Sequence, residues 1–198
     1  MPPPEPRAAR TQQERTEATR AALMAAGRRL FAERGYEDVP ADEIAAAAGM
    51  TRGALYHHFA DKRELFEAVF EQLEADITAE IGTIIAQQPG PVIETGLRAF
   101  LDVCTRPEVV SIALTEAPAV LGWQRWREIE SRYGLGLVRA AVQASGAVDD
   151  KALDTTSHIV VSALIEAALV IAHASDQQAA RADAETALTL LLTRLLPG

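Results

Sequence analysis

The sequence predicts an all-α protein, and three observations carry that expectation. Ala and Leu dominate a composition that is 48% hydrophobic but only 5% aromatic, and both are strong helix formers. No β-branched alternation of useful length occurs along the chain. Helix-breaking residues fall between stretches of helical period, at Gly35, Gly49, Gln88-Pro89-Gly90-Pro91 and Ser145-Gly146. The expected architecture is an N-terminal three-helix unit followed by a larger helical body.

Taken in order, residues 1–12 are proline-rich with little to bury, and are expected to form a disordered tail. A first helix should run from about Gln13 to Arg34, with Leu23, Leu30 and Phe31 as its apolar stripe and Gly35 at its end. Residues 42–62, DEIAAAAGMTRGALYHHFADK, predict two short helices joined by a tight glycine turn. Ile44, Ala45 and Ala48 form the apolar face of the first. Gly49 can take the left-handed conformation that ends it. Thr51 suits the N-cap of the second, whose Leu55 and Phe59 point back at its partner. That leaves Arg52, Gly53, Tyr56 and His57 on the outer side. A short helix with small and polar residues facing outward is the helix-turn-helix plan, sized for a major groove. Asp61 then caps a fourth helix through Leu65, Phe66, Val69, Phe70, Leu73 and Ile77. After the Pro-Gly break, helices are expected near 91–104, 107–116, 120–145, 150–174 and 178–196.

LMAAGRRLFAERGY at 23–36, followed by DEIA, AGMTRGALYHHF and DKREL, resembles the N-terminal domain of the TetR family of bacterial repressors. The resemblance is dense over residues 15–70, with several submotifs in order at family spacing. It implies a DNA-binding domain over 13–60 and a helical ligand-binding and dimerisation domain over 61–198. LTEAPAVLGWQRWREIESRYGLGL at 114–137 resembles a segment of one subgroup of that family. The resemblance also assigns Tyr56, His57 and Lys62 to the DNA backbone. A phenol, an imidazole and an ammonium at the end of a short helix can all reach phosphate oxygens. Arg52 is the candidate for base readout, by a bidentate contact to guanine. Thr51 stands at the mouth of the helix, and Gly53 and Ala54 lack bulk, which lets the backbone come close. One departure is clear: where the family often has Thr or Ser at the entry of the second helix, this chain has Val39 and Pro40. Fewer phosphate contacts are expected there.

Charge fits this division. The net charge is −9, but residues 1–34 carry seven Arg against four Glu, or +3. The acidity lies mainly in the body, so DNA binding without sequence matching should be weak. The single Cys104 excludes an intrachain disulfide and fits a reducing cytosol. The N-terminus lacks an apolar signal segment. The apolar run Ile159–Ala172 is interrupted by Ser162 and Glu166 and predicts a buried helix, not a membrane span. A cytoplasmic, nucleoid-associated protein without a membrane partner is expected.

Within the body, Asp154, His158, Ser162 and Glu166 follow at four-residue steps on an apolar helix. One reading has the stripe face an internal cavity and fix a ligand, with Phe100, Trp123 and Trp126 as walls. The other pairs it with neighbouring helices, through Arg125, Arg127 or Arg132, and leaves the aromatics as core. The last helix carries Leu188, Leu190, Leu191, Leu192, Leu195 and Leu196, too many for one buried stripe. Leu188, Leu191, Leu192 and Leu195 are expected at a two-fold homodimer interface, as in the family.

These features imply a transcriptional regulator, a repressor by resemblance. It would bind an inverted-repeat operator in double-stranded DNA as a homodimer and be released by a small, largely apolar effector. The rival is a DNA-binding regulator controlled by a protein partner or by no effector. No cofactor or metal is implied, since His57 and His58 are adjacent and neither HxxxH nor CxxC occurs. An enzyme is not expected. Asp154, Ser157 and His158 lie on one helix, where near neighbours diverge and cannot form a triad.

Overall fold

A computed structural model describes residues 11–88 and 90–196, and those residues form helices with no strand among them. The head comprises α1 (Gln12–Arg34), α2 (Ala41–Ala47) and α3 (Arg52–His58), which pack on the start of α4 (Lys62–Gln87). Thr11 opens α1 with a reciprocal cap: its hydroxyl accepts from the Glu14 amide, and the Glu14 carboxylate accepts from the Thr11 amide. Thr11 and Gln12, expected in the tail, thus form the cap and first residue of α1, and residues 1–10, where the rest of the expected tail falls, lie outside the described residues. Gly49, at φ 69°, turns the chain between α2 and α3. Thr51 and Asp61 cap α3 and α4 through the Ala54 and Glu64 amides.

The head core is built from the positions that periodicity selects. Leu23, Phe31, Ile44, Leu55, Leu65 and Phe66 are fully buried. Phe31 and Tyr36 each meet the Phe66 ring edge-on at 5.2 Å between centroids, a favourable aromatic geometry. At 26 residues, α4 is about 39 Å long at 1.5 Å per residue. It runs from this core far into the body.

The body adds α5 (Val92–Cys104), α6 (Pro107–Val109), a π-helical segment Val110–Glu116, α7 (Ala117–Leu121), α8 (Trp123–Ser145), α9 (Asp150–His173) and α10 (Gln177–Leu195). Two details differ from the expected helices. The 107–116 stretch changes to π geometry after its first turn. The Thr115 hydroxyl donates across it to the Val110 carbonyl, five residues back. The expected 120–145 helix is cut at Gly122, whose φ of 81° ends α7, a conformation open to glycine.

In the body, α8 packs along α9, α9 along α10, and α4 along both α5 and α8. One apolar core runs from the head through the π segment to Trp126, Ile129 and Ile165. A second lies at the far end, between α5, α8, α9 and α10. Among the described residues α9 is one helix long and apolar enough to cross a membrane, with mean hydropathy 1.7. Here its Leu153, Val160, Val161, Ile165, Ala168 and Ile171 are buried inside the bundle.

Polar contacts fasten head to body. The Arg63 side chain donates to the Val120 and Leu121 carbonyls at the end of α7. Arg28 on α1 pairs with Asp76 on α4 and Glu108 on α6. Arg125 on α8 pairs with Glu67 at 2.6 Å. The start of α4 is thus fixed to the same short segment that leads into α8.

Candidate functional site

Two places on the molecule combine exposure or enclosure with unused polar chemistry. The first is the outer face of α3. Leu55 and Phe59 anchor the helix inward, while Arg52, Gly53, Tyr56 and His57 are exposed. Thr51 is exposed too, with its hydroxyl engaged in the cap, and Ala54 is half-buried. Arg52 pairs with Asp42 of α2 at 2.9 Å and lies over the Tyr56 ring at 5.3 Å. The hydrogen bond that Arg52 donates to Asp42 raises the guanidinium further above its ordinary range. His58 is turned more inward, and its proton affinity is lowered by burial, by His57 and by Arg20.

Lys62 differs from its expected role. Its ammonium folds onto the Tyr36 and Val39 carbonyls, at 2.9 and 3.3 Å. It also sits 4.0 Å from the Tyr36 ring centroid. Two of its three donors are occupied within the protein. Lys62 therefore clamps the α1–α2 loop to α4, and at most one donor points elsewhere.

The second place is a cavity of about 130 Å³ between α4, α5, α8, α9 and α10. Its walls are apolar: Ile77, Ile81, Leu97, Phe100, Leu137, Val138 and Ile165 are among them. Gly134 also lines it, and a Cβ there would meet no atom within 4 Å. The polar groups at its wall are Glu74, Thr78 and Glu130. Glu74 is 8% exposed. Glu130 is half-buried. Among the described residues neither carboxylate has a hydrogen-bond or ion-pair partner. Burial raises Glu130 to about 7, against which the charge of Arg127 pulls down. Burial and the Glu130 charge raise Glu74 well above the usual carboxylate range. The buried Cys104 thiol is raised by burial and by both carboxylates.

The structure corrects most of the expected ligand residues. Phe100 lines the cavity. His158, Ser162 and Glu166 instead lie on the exposed face of α9. Ser162 accepts from Arg127 at 3.0 Å, and Asp154 accepts from Arg139 at 2.8 Å. Ser162 thus follows the pairing reading through Arg127, and Asp154 pairs with Arg139, while the His158 and Glu166 side chains have no partner among the described residues. Trp126 is fully buried in the core, its indole N–H donating to the Ala113 carbonyl at 3.0 Å. Trp123 is 60% exposed and leans on Trp126 at 4.8 Å between centroids. Neither tryptophan lines the cavity.

The α10 leucines split by face. Leu188 and Leu192 are buried within the protomer, and Leu192 lines the cavity with Leu196. They are not surface groups, so the expected interface loses them. Leu190, Leu191 and Leu195 are exposed, together with Ile159 and Val170 on α9. Sequence reasoning passed over Glu74 and Glu130. The available signal was one acid on each apolar face, in step with Ile77 and Ile81 on α4 and with Leu137 on α8.

The comparisons with known proteins agree with this layout. Residues 23–69 match the family model for bacterial regulatory proteins of the tetR family. Residues 91–195 match the model described as a tetracyclin repressor-like C-terminal domain. The transposon Tn10 TetC protein of Escherichia coli is 34% identical over 132 residues, covering 66% of this chain and 67% of that protein. The HTH-type transcriptional repressor BepR of Brucella suis biovar 1 is 25% identical over 167 residues, 77% of this chain and 79% of its own length. A TetR-family transcriptional regulator from Pectobacterium atrosepticum has a crystal structure that aligns with TM-score 0.79 at 35% identity. That alignment covers 94% of this chain and 98% of the other. RolR in complex with resorcinol shares the fold, at TM-score 0.68 and 22% identity, over 89% of this chain and 90% of that one.

Proposed function

Because the chain belongs to the TetR family of bacterial transcriptional regulators, we propose that it represses transcription as an effector-controlled homodimer on an inverted-repeat operator. The observation that carries this reading is the course of α4. Its first turns, Leu65, Phe66 and Val69, are buried in the head that presents α3. Further along, Glu74, Ile77, Thr78, Ile81 and Ile85 wall the cavity. A molecule that fills the cavity presses on the helix that carries the reading head. The driving force is differential affinity for the two positions of that helix.

In this reading Arg52 reads a base, Tyr56 and His57 hold phosphates, and Thr51, Gly53 and Ala54 permit the close approach. The spare donor of Lys62 adds to the phosphate contacts. The exposed leucines Leu190, Leu191 and Leu195 on α10 supply the apolar patch for the two-fold contact, where a buried core favours association. The small molecule is largely apolar, as the walls require. The protein works in the cytoplasm, where its DNA is.

Footprinting on DNA upstream of the protein's own gene tests the reading. The expected footprint is an inverted repeat with half-sites about one helical turn apart, roughly 34–36 Å. A footprint over a single asymmetric half-site would contradict it. Gly134→Leu, which fills the cavity, should leave the footprint intact and abolish release by any effector found by screening.

A further inference from the structure

We propose that the cavity binds a small amphiphilic amine, its ammonium set against Glu74 and Glu130 and its apolar body against Phe100, Leu97 and Ile165. This deepens, and rests on, the reading of the cavity as the effector site.

Glu74 is the observation that points to a ligand. It is more than nine-tenths buried, lines an otherwise apolar cavity, and has no partner among the described residues. A carboxylate in such a place is strongly disfavoured unless it is paired or protonated. Here a second carboxylate, Glu130, lines the same cavity, so the pair repels itself when both ionise. The remaining titratable neighbours offer little relief. Arg127 acts on Glu130 at a distance, with its guanidinium engaged by Ser162 on the outer face. Cys104 is a buried neutral thiol. Glu74 and Glu130 therefore hold protons that free carboxylates would lose.

A hard metal ion does not suit the place, because it calls for six or more oxygens, and the lining supplies two carboxylates and Thr78 amid hydrocarbon. An ammonium does suit it. It brings one charge, donates up to three hydrogen bonds, and can sit near the face of Phe100. The cavity volume of about 130 Å³ sets the size: an apolar cavity of roughly 150 Å³ takes benzene, so the body of the ligand is about one ring. On binding, R–NH3+ enters, a fully protonated pair gives up one proton to the buffer, and the single carboxylate so formed is neutralised by the ammonium while the other acid keeps its proton.

The test uses the full-length protein and three probes of one shape: benzylamine, benzyl alcohol and toluene. Isothermal titration near pH 7.5 should show benzylamine binding at least about tenfold tighter than either neutral probe, a difference of about 1.4 kcal/mol. Titrations in buffers of different ionisation heat should report release of up to one proton. Binding of benzylamine should weaken toward pH 5.5, where the pair holds its protons. Glu74→Gln and Glu130→Gln should each remove the amine preference and keep toluene binding, which also reports that the cavity is folded. Equal affinity for the three probes would overturn the proposal. So would an amine preference that survives in the double variant. Operator mobility shifts run beside the titrations separate the two readings. Benzylamine that binds with proton release but leaves the DNA complex intact supports the amine site and refutes the effector role. Toluene that releases DNA with no amine preference does the reverse.

Discussion

Arg52 and Asp42 face each other across the helix-turn-helix at 2.9 Å, both side chains more than half exposed. The residue placed to read a base is held by an acid on the neighbouring helix. An exposed pair of this kind is worth little to stability, yet it competes with guanine for the same guanidinium fork. Asp42→Asn should therefore tighten operator binding several-fold, by removing the competitor and a charge that repels phosphate. Arg52→Ala should relax the preference at one base pair per half-site, at about 1–3 kcal/mol. Fluorescence anisotropy on operator variants at fixed salt reads both. Uniform weakening by Arg52→Ala on every variant would make it a phosphate contact.

Lys62 and Tyr56 should behave differently, although both were expected at phosphates. Lys62→Ala removes two hydrogen bonds to the Tyr36 and Val39 carbonyls, each worth about 1 kcal/mol net and more for a charged donor. The melting temperature should fall, while the salt dependence of DNA binding flattens by clearly less than one unit of slope. Tyr56→Phe should leave the melt unchanged and weaken binding on all sequences alike. A stable Lys62→Ala protein with a full unit of lost slope would show the ammonium leaving its carbonyls for DNA.

Adjacent leucines on α10 offer a sharp contrast. Leu191 is 45% exposed and Leu192 is 4% exposed. Leu191→Arg should give a folded monomer by sedimentation, since it places a charge in the contact between copies. Leu192→Arg should unfold the body, because it buries an unpaired charge inside one protomer. A dimer that persists in Leu191→Arg would move the interface off this face.

Stability should depend on pH through the cavity. Glu130 is raised to about 7, and Glu74 is raised in the same direction. The folded protein therefore binds more protons than the unfolded chain between the ordinary carboxylate range and about pH 7. The contribution of the pair is fully present below the unfolded value and is lost as pH rises through the folded one. The melting temperature should fall by several degrees between about pH 5 and pH 8. Glu130→Gln should flatten that slope. Parallel pH profiles for the parent and the variant would mean that Glu130 titrates normally.

The head was legible in the sequence because its determinants are local. Caps at Thr51 and Asp61, the turn at Gly49 and the anchors Leu55 and Phe59 all lie within one or two turns of what they control. The cavity was not legible, because five helices from distant parts of the chain enclose it. Four-residue spacing correctly placed Asp154, His158, Ser162 and Glu166 on one face. Periodicity groups residues by face but does not say what the face meets, and here Asp154 and Ser162 meet arginines of α8. The same limit hid the inward turn of Leu188 and Leu192. Large and apolar, Trp126 suits either a wall or the core on sequence alone. Its N–H found a carbonyl in the π segment, an acceptor that no sequence rule anticipated.

That π segment has a consequence for tolerated changes in chain length. A turn closed by i→i+5 bonds holds one residue more than an α turn, and each α-helical residue advances the phase by about 100°. Ala117 and Leu121, four apart and both buried, keep their inward heading because the wide turn before them sets it. A one-residue deletion within 110–116 would let the segment tighten to α geometry and swing both residues out of register. The Val120 and Leu121 carbonyls that hold Arg63 would swing with them. Single-residue insertions and deletions should therefore be harmful here, and better tolerated beyond the far end of α8, at the Gly146 loop.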